Sequence, residues 1–469
     1  MTTAEYTQSL DTLAGVLGIT RSYYDGTGQH RRASDDALLA VVRAFGAPLE
    51  RLEDAPEALR AIRDAGSKPS PPLVAVLAAA AGGSVRIPAD SLFAHGQGAS
   101  AARNASATLT LESGDTSPVR VSPAGEHVHV HIPAETPAGH HHVDASGDRS
   151  PVRVQVLVAP SRLPQIPRSW CLFAPLYGLR SGRAPFASFG DLARLADSMT
   201  RAEARSSRAR DTALLGTLPL LACFFEEPFE PSPYSPISRA FWSEIYVDPA
   251  ASAEHDGSAC DLARTDAGSA AAASHVDYRR IMRERRREME SLLRTLDNRG
   301  GARRQAFEQA IDDDDELVRY ASFRAAVDLY GTTWETWPQR ARERQLRAGV
   351  DYDGETFRYH AYAQWLAREQ FERAAAESRA GLYLDLPLGS HPGGYDTWRH
   401  PADFASGISV GAPPDAVFAG GQNWGFPPLH PERARRSGYA AFRAALRHQM
   451  WHDAQKRHHQ RNQPLRHTN

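Results

Sequence analysis

Three dense apolar runs constrain the fold most: residues 171–179 (CLFAPLYGL), 213–225 (ALLGTLPLLACFF) and 380–389 (AGLYLDLPLG). A strand with one wet face alternates apolar and polar residues. These runs do not alternate, and each fits a parallel strand covered on both faces. Helix-patterned stretches lie between and after them, at Phe189 to Ser198, Tyr278 to Leu296, Leu317 to Leu329 and Tyr359 to Arg379. In the last of these Tyr362, Leu366 and Gln370 share one face, with Trp365 and Phe371 nearby. Strands alternating with helices indicate an α/β fold, and residues 168–452 become the expected place of the chemistry.

The upstream sequence is built differently. Residues 1–66 read as a small helical unit. Leu38, Val41, Val42 and Phe45 recur at helical spacing, Ser34 precedes them as a cap, Asp35 and Asp36 sit in the first turn, and Gly46 ends the run. Between residues 67 and 162 the chain alternates in SVRIPA, SATLTLES, SPVRVSP, HVHVHIPA and SPVRVQVLVAP, with turn clusters at Ser113-Gly114-Asp115 and Ser146-Gly147-Asp148. Short strands at such spacing, with no helices between them, predict a β-sandwich. Pro164 and Pro167 mark a linker, and residues 453–469, basic and without apolar period, read as a disordered tail.

The charge balance excludes a generic polyanion binder. Fifty-four Lys+Arg face 56 Asp+Glu for a net charge of −2, so no basic field would hold nucleic acid. The Arg-rich stretch Arg279 to Arg287 carries interleaved Glu and reads as a salt-bridged exposed helix, and Asp312 to Glu316 as a solvated helix start. No apolar run is long enough to span a membrane, and no secretory leader is visible. Cys171, Cys223 and Cys260 have no paired spacing and read as isolated thiols in a reducing compartment, so a cytoplasmic location is expected. His127, His129 and His131 share a strand face and His140 to His142 follow, yet no carboxylate or thiol has ligand spacing, so no metal is expected. No phosphate-binding loop, dinucleotide fingerprint or nucleophile elbow occurs, and no cofactor is expected.

Three segments concentrate groups suited to sugars. Residues 230–246 (EPSPYSPISRAFWSEIY) follow a buried-type strand and combine aromatic rings, prolines and hydroxyls. Rigid aromatic faces beside short polar groups match the C–H face and hydroxyl rim of a pyranose, although the same loop suits a proline-stiffened cover over a sheet. In GLYLDLPLG, followed by GYDTW, Asp385 falls near the C-terminal end of a parallel strand, where α/β barrels keep their active groups; it could equally cap the next loop. In VGAPPD and GGQNWG, Gln422 offers an amide and Trp424 a stacking face, or the segment is a crossover loop.

Taken together and in order, SPYSPISRAFW, YHAYAQWLAREQ, GLYLDLPLG with YDTW, and SVGAPPDAVFAGGQNWGFPP resemble the 4-α-glucanotransferase family, the amylomaltases or disproportionating enzymes. LAGVLGI, YYDGTGQ and SDDALLAVVRAFG near the N-terminus are similar to its long bacterial form, and the resemblance runs from about residue 10 to about residue 450. It implies a (β/α)8 barrel with inserted helical subdomains and a cytoplasmic enzyme acting on α-1,4-glucans or maltodextrins. Such an enzyme forms a glucosyl-enzyme and passes the glucan to another sugar's 4-hydroxyl. Retaining transfer of this kind uses two carboxyl groups about 5–5.5 Å apart. By position, Ser232, Tyr234, Asp385, Gln422 and Trp424 match substrate-binding residues of the family.

The sequence departs from that pattern after residue 450. The family carries Arg-x-Asp-His with the nucleophile, then Gly-Glu-Asp with the acid/base, then His-Asp with a third carboxylate. Here the chain reads AALRHQMWHDAQKRHHQRNQPLRHTN, and His452-Asp453 stands without the other two motifs. Ser243 also replaces a family Asn. The expectation is an incomplete TIM-type barrel with about three of eight strands, no catalytic residue of its own, and a separate chain as the partner that supplies the remainder.

Overall fold

The computed structural model describes residues 2–66, 74–94, 104–163, 165, 168–179, 186–204, 212–257, 275–378 and 380–461. Two compact units emerge, one formed by Met1–Gln165, Ala402–Trp424 and Pro428–Ala440, the other by Ile166–Pro401, Gly425–Pro427 and Ala441–Asn469. Residues 402–424 and 428–440 therefore group with the N-terminal part, whereas the sequence pattern assigns them to the segment 168–452.

The first unit begins with helix α1 (Thr3–Val16), a hairpin of β1 (Ser22–Tyr24) and β2 (His30–Arg32), α2 (Asp35–Ala44) and α3 (Ala55–Gly66). Ser34 Oγ accepts the Ala37 N–H at 3.2 Å, so the serine does cap α2, and Gly46 follows it at φ +87°. Leu10, Leu13, Leu38, Val42, Ala55 and Ala58 close a small core among the three helices.

Eight strands follow: β3 (Val74–Ala78), β4 (Gly83–Pro88), β5 (Ser106–Thr110), β6 (Thr116–Pro118), β7 (Val121–Ala124), β8 (His127–Ile132), β9 (Gly139–Ser146) and β10 (Val152–Ala159). They form a five-stranded sheet ordered β3-β10-β9-β5-β6 and a three-stranded sheet ordered β4-β8-β7. One apolar core joins the two, from Val85, Ile87, Val128 and Val130 on the smaller sheet to Leu109, Val143, Val154 and Val156 on the larger. In β8 the valines point into this core, so His127, His129 and His131 occupy the opposite, half-buried face. There His131 Nε2 shares a hydrogen bond with Ser122 Oγ at 2.8 Å. Among the described residues no three His, Cys, Asp or Glu side chains gather as metal ligands would.

The second unit carries β11 (Ser169–Phe173), α4 (Phe189–Ala204), β12 (Thr212–Thr217), α5 (Tyr278–Arg299), α6 (Gly301–Asp313), α7 (Asp315–Tyr330), α8 (Gly354–Glu377), β13 (Gly381–Leu384) and the short α9 (Tyr395–Arg399). The three strands form a parallel sheet in chain order, with Cys171 beside Leu214 and Leu214 beside Gly381. The apolar runs do become parallel strands, but they are not covered throughout. Leu215 is fully buried, while Trp170, Leu172, Phe173 and Tyr383 on the flanking strands are 40 to 59% exposed. Helix α8 starts earlier than its apolar period indicates because Asp353 caps it, accepting the Thr356 N–H at 2.8 Å. Its Tyr362, Leu366 and Phe371 are fully buried.

The chain then returns to the first unit through β14 (Gly411–Ala412), β15 (Gln422–Asn423) and α10 (Pro431–Arg436), and ends its described part in α11 (Ala440–Arg461). That helix carries its backbone through Asp453 to Arg461, the first nine residues of the segment whose sequence reads as a disordered basic tail. Residues 462–469, the linker prolines Pro164 and Pro167, and Cys260 lie outside the described residues. No described helix is long and apolar enough to cross a membrane.

Candidate functional site

The loop after β12 is irregular in dihedrals but pinned at many points. Ile237 N–H donates to Ala222 O at 2.7 Å, Ala222 N–H to Phe241 O at 3.1 Å and Ser243 N–H to Leu220 O at 2.8 Å, so the SPISRAFW segment folds back along LLAC. The key polar fastener is Asp396 at the start of α9. One of its carboxylate oxygens accepts Ser238 Oγ–H at 2.6 Å, and the other accepts the Arg239 N–H at 3.0 Å and Ser390 Oγ–H at 2.6 Å. The guanidinium of Arg239, itself buried, lies 3.6 Å from the same carboxylate. Glycine completes the joint: a Cβ on Gly394 would stand 2.5 Å from Ile237 O.

This fastening presents Ser232 and Tyr234 on the exposed side of the loop. Tyr234 N–H donates to Ser232 Oγ at 3.4 Å, and the Tyr234 hydroxyl donates to Asp385 Oδ2 at 2.8 Å. Asp385 is the first residue after β13, and its own N–H donates to Thr217 O at the end of β12 at 3.3 Å. Three of the expected residues thus converge at the C-terminal ends of two adjacent parallel strands. Partial burial, and then the hydrogen bond to Asp385, pushes the Tyr234 phenol up to about 12, so it holds its proton and acts as a donor.

Gln422 and Trp424 belong to the first unit. β14 and β15 pair antiparallel, with Ala412 opposite Gln422, and Trp424 N–H donates to Val410 O at 2.9 Å. Trp424 Nε1–H donates to Gln422 Oε1 at 3.3 Å, which joins the amide and the indole. Asp415 Oδ1 accepts the N–H groups of Val417 (2.8 Å) and Phe418 (2.6 Å) and shapes the tip. Trp424 is 39% exposed and Phe418 49%, so the loop shows two aromatic faces, of which the sequence reading named one.

A second polar cluster lies inside the second unit. A cavity of about 50 Å³ is lined by Cys223, Glu244, Arg286, Arg324, Asp328 and His360 among others. Arg324 Nη1 donates to Glu244 Oε1 at 3.3 Å and Arg286 Nη2 to Asp328 Oδ2 at 2.9 Å, while His360 Nε2 stands 3.4 Å from that oxygen. Burial alone would raise the Asp328 carboxyl, but His360, Arg286 and Arg324 together hold it well below the usual carboxylate range. Arg286 is therefore not on a merely exposed face: the Arg/Glu spacing of α5 indicates its helical pairs but not the acid of α7 that it also meets. Burial pushes the Cys223 thiol up to about 12, and Cys171 is exposed; both are free thiols.

A three-stranded parallel sheet with polar and aromatic groups at the carboxyl ends of its strands is the arrangement of α/β enzymes with loop-borne sites. The comparisons with known proteins make the class specific. A family model described as 4-alpha-glucanotransferase matches residues 174–457, and the chain belongs to that family. It is 29% identical to the 4-alpha-glucanotransferases of Mycobacterium bovis and Mycobacterium tuberculosis across 95% of its own length. It spans 64% of the length of those relatives. The crystal structure of amylomaltase from Corynebacterium glutamicum shares its fold with a TM-score of 0.75 at 24% identity, covering 95% of this chain and 64% of that one.

Proposed function

We propose that this chain forms the sugar-holding part of a cytoplasmic 4-α-glucanotransferase-type protein that binds α-1,4-glucans or maltodextrins. Ser232, Tyr234, Asp385, Gln422 and Trp424 are its substrate contacts. The observation that carries the reading is the Tyr234–Asp385 hydrogen bond, which ties two segments 151 residues apart into one exposed polar edge. There Asp385 can accept from vicinal sugar hydroxyls while the Tyr234 ring offers an apolar face. Gln422 beside Trp424 repeats that pairing of an amide with an aromatic plane.

The transfer itself, in this proposal, is a retaining double displacement on maltodextrins whose nucleophile, acid/base and third carboxylate are not carried by any motif of these 469 residues. The parallel sheet is read as the first three strands of an eight-stranded barrel, and a separate chain could supply the rest. What supports this is the set of large apolar side chains left open on β11 and β13.

The test is calorimetric titration of maltoheptaose together with a disproportionation assay on maltotriose. The reading expects saturable binding, weakened about tenfold in Asp385→Asn, which corresponds to about 1.4 kcal/mol. It also expects no glucose release by this chain alone, since neither covalent nor acid/base catalysis is available. Absence of glucan binding would remove the proposal, and turnover by the unaided chain would overturn its assignment of the chemistry to other residues.

A further inference from the structure

The turn of the N-terminal hairpin, Asp25 to Gln29, has no part in any core, yet it is among the most tightly built pieces of the first unit. The fully buried Asp25 carboxylate accepts four donors: Thr27 N–H at 2.9 Å, Thr27 Oγ–H at 2.6 Å, Gln29 N–H at 2.9 Å and Arg31 Nε–H at 2.8 Å. Gly28 takes φ +80°, which closes the turn, and Asp25 N–H donates to Gln29 O at 2.9 Å. So many bonds fix the direction of one further donor: Gly26 N–H reaches across the unit to Pro414 O at 2.9 Å. The approach is close enough to require glycine. A Cβ on Gly26 would lie 2.9 Å from Asp415 Cβ and 3.1 Å from its Cα.

The residues thus touched are the base of the aromatic loop. Asp415 organises the Val417 and Phe418 N–H groups, Gly421 N–H returns to Phe418 O at 2.9 Å, and β15 with Gln422 follows at once. Within itself the loop has a two-residue ladder, the Trp424 N–H bond to Val410 O at 2.9 Å and the Ser409 Oγ–H bond to Asn423 Oδ1 at 2.7 Å, and the hairpin turn adds an anchor at its base from a distant part of the chain.

We infer that Asp25 and Gly26 are positioning residues that hold the 410–424 loop in the shape in which Gln422 and Trp424 meet a glucan. The inference rests on the reading of those two residues as glucan contacts. The N-terminal helical unit thereby takes part in substrate recognition without touching substrate: its hairpin prepays the ordering of a loop that binding would otherwise have to order.

The experiment uses the full chain and the variants Gly26→Val, Asp25→Ala and Trp424→Ala. Amide exchange over residues 410–424 is read by mass spectrometry and maltoheptaose affinity by calorimetry. Gly26→Val is expected to speed exchange in 410–424 about tenfold, with the α1–α3 core and the thermal midpoint unchanged. Its maltoheptaose dissociation constant is expected to rise about fivefold, with Asp25→Ala changing both in the same direction. Should Gly26→Val not fold, Gly26→Ala, whose single methyl meets the same Asp415 atoms, replaces it. Unchanged exchange, or faster exchange with unaltered affinity while Trp424→Ala binds weakly, overturns the inference. Unaltered affinity in Trp424→Ala instead removes the glucan-contact reading, and the inference with it.

Discussion

The two loops that carry the expected glucan contacts are held in opposite ways. In the second unit, the segment bearing Ser232 and Tyr234 is fastened by a buried charge: Asp396 gathers Ser238, Arg239 and Ser390 around one carboxylate. In the first unit, the segment bearing Gln422 and Trp424 is fastened by main-chain bonds and by glycines whose missing Cβ lets backbones meet, Gly411 against Gln422 O and Gly421 against Ala412 O. A charge-fastened loop fails all at once when its carboxylate is lost, because several donors are orphaned together. A glycine-fastened loop fails by degrees and locally.

Asp396→Ala puts the largest strain on that contrast. It strips buried Arg239 of its counter-charge and leaves Ser238 and Ser390 without acceptors, so urea unfolding should show a loss of about 3–5 kcal/mol. A loss below about 1 kcal/mol would mean that the prolines hold the loop and the contrast is false. Gly421→Ala comes next. At φ +73° and with Ala412 O 2.8 Å from the new methyl, it should cost about 1–2 kcal/mol, seen as faster amide exchange in 410–424 while the second unit melts as before.

Spectrophotometric titration sharpens the comparison at the exposed edge. Ionisation of Tyr234 is expected at about 12, and Asp385→Asn should bring it back toward 10, the ordinary value. Because the folded chain favours the neutral phenol, this contribution to stability is intact below the ordinary phenol range and is lost as pH rises through about 12. The smallest effect is expected from Ser243→Ala. Its buried hydroxyl has no hydrogen-bond partner among the described residues, so removing it should change stability by less than about 0.5 kcal/mol in the same urea experiment.

How much of the fold is legible in the residues follows the range of the forces involved. The cap at Ser34, the alternation of β8 and the apolar runs that contain β12 and β13 and overlap β11 are local signals, although each strand takes up only part of its run. The hairpin β1–β2 escaped because three-residue strands leave no measurable period, although Asp25-Gly26-Thr27-Gly28 is turn chemistry. Helix α6 escaped because Phe307 is its one fully buried side chain. The pairing of Tyr234 with Asp385, and the role of Asp396 inside the YDTW run, depend on partners more than 150 residues away, which no window of sequence can contain.

The distance from Ser238 to Asp396 also sets a timetable. The loop leaves the ribosome 158 residues before the carboxylate that fastens it, and at ordinary elongation rates that is a delay of roughly ten to thirty seconds. During that interval Ser238 and Arg239 stay hydrated and the SPISRAFW segment has no fixed path. The Tyr234–Asp385 edge is therefore among the last features of the second unit to mature in a nascent chain, and the turn at Gly26 exists well before the 410–424 loop whose base it touches.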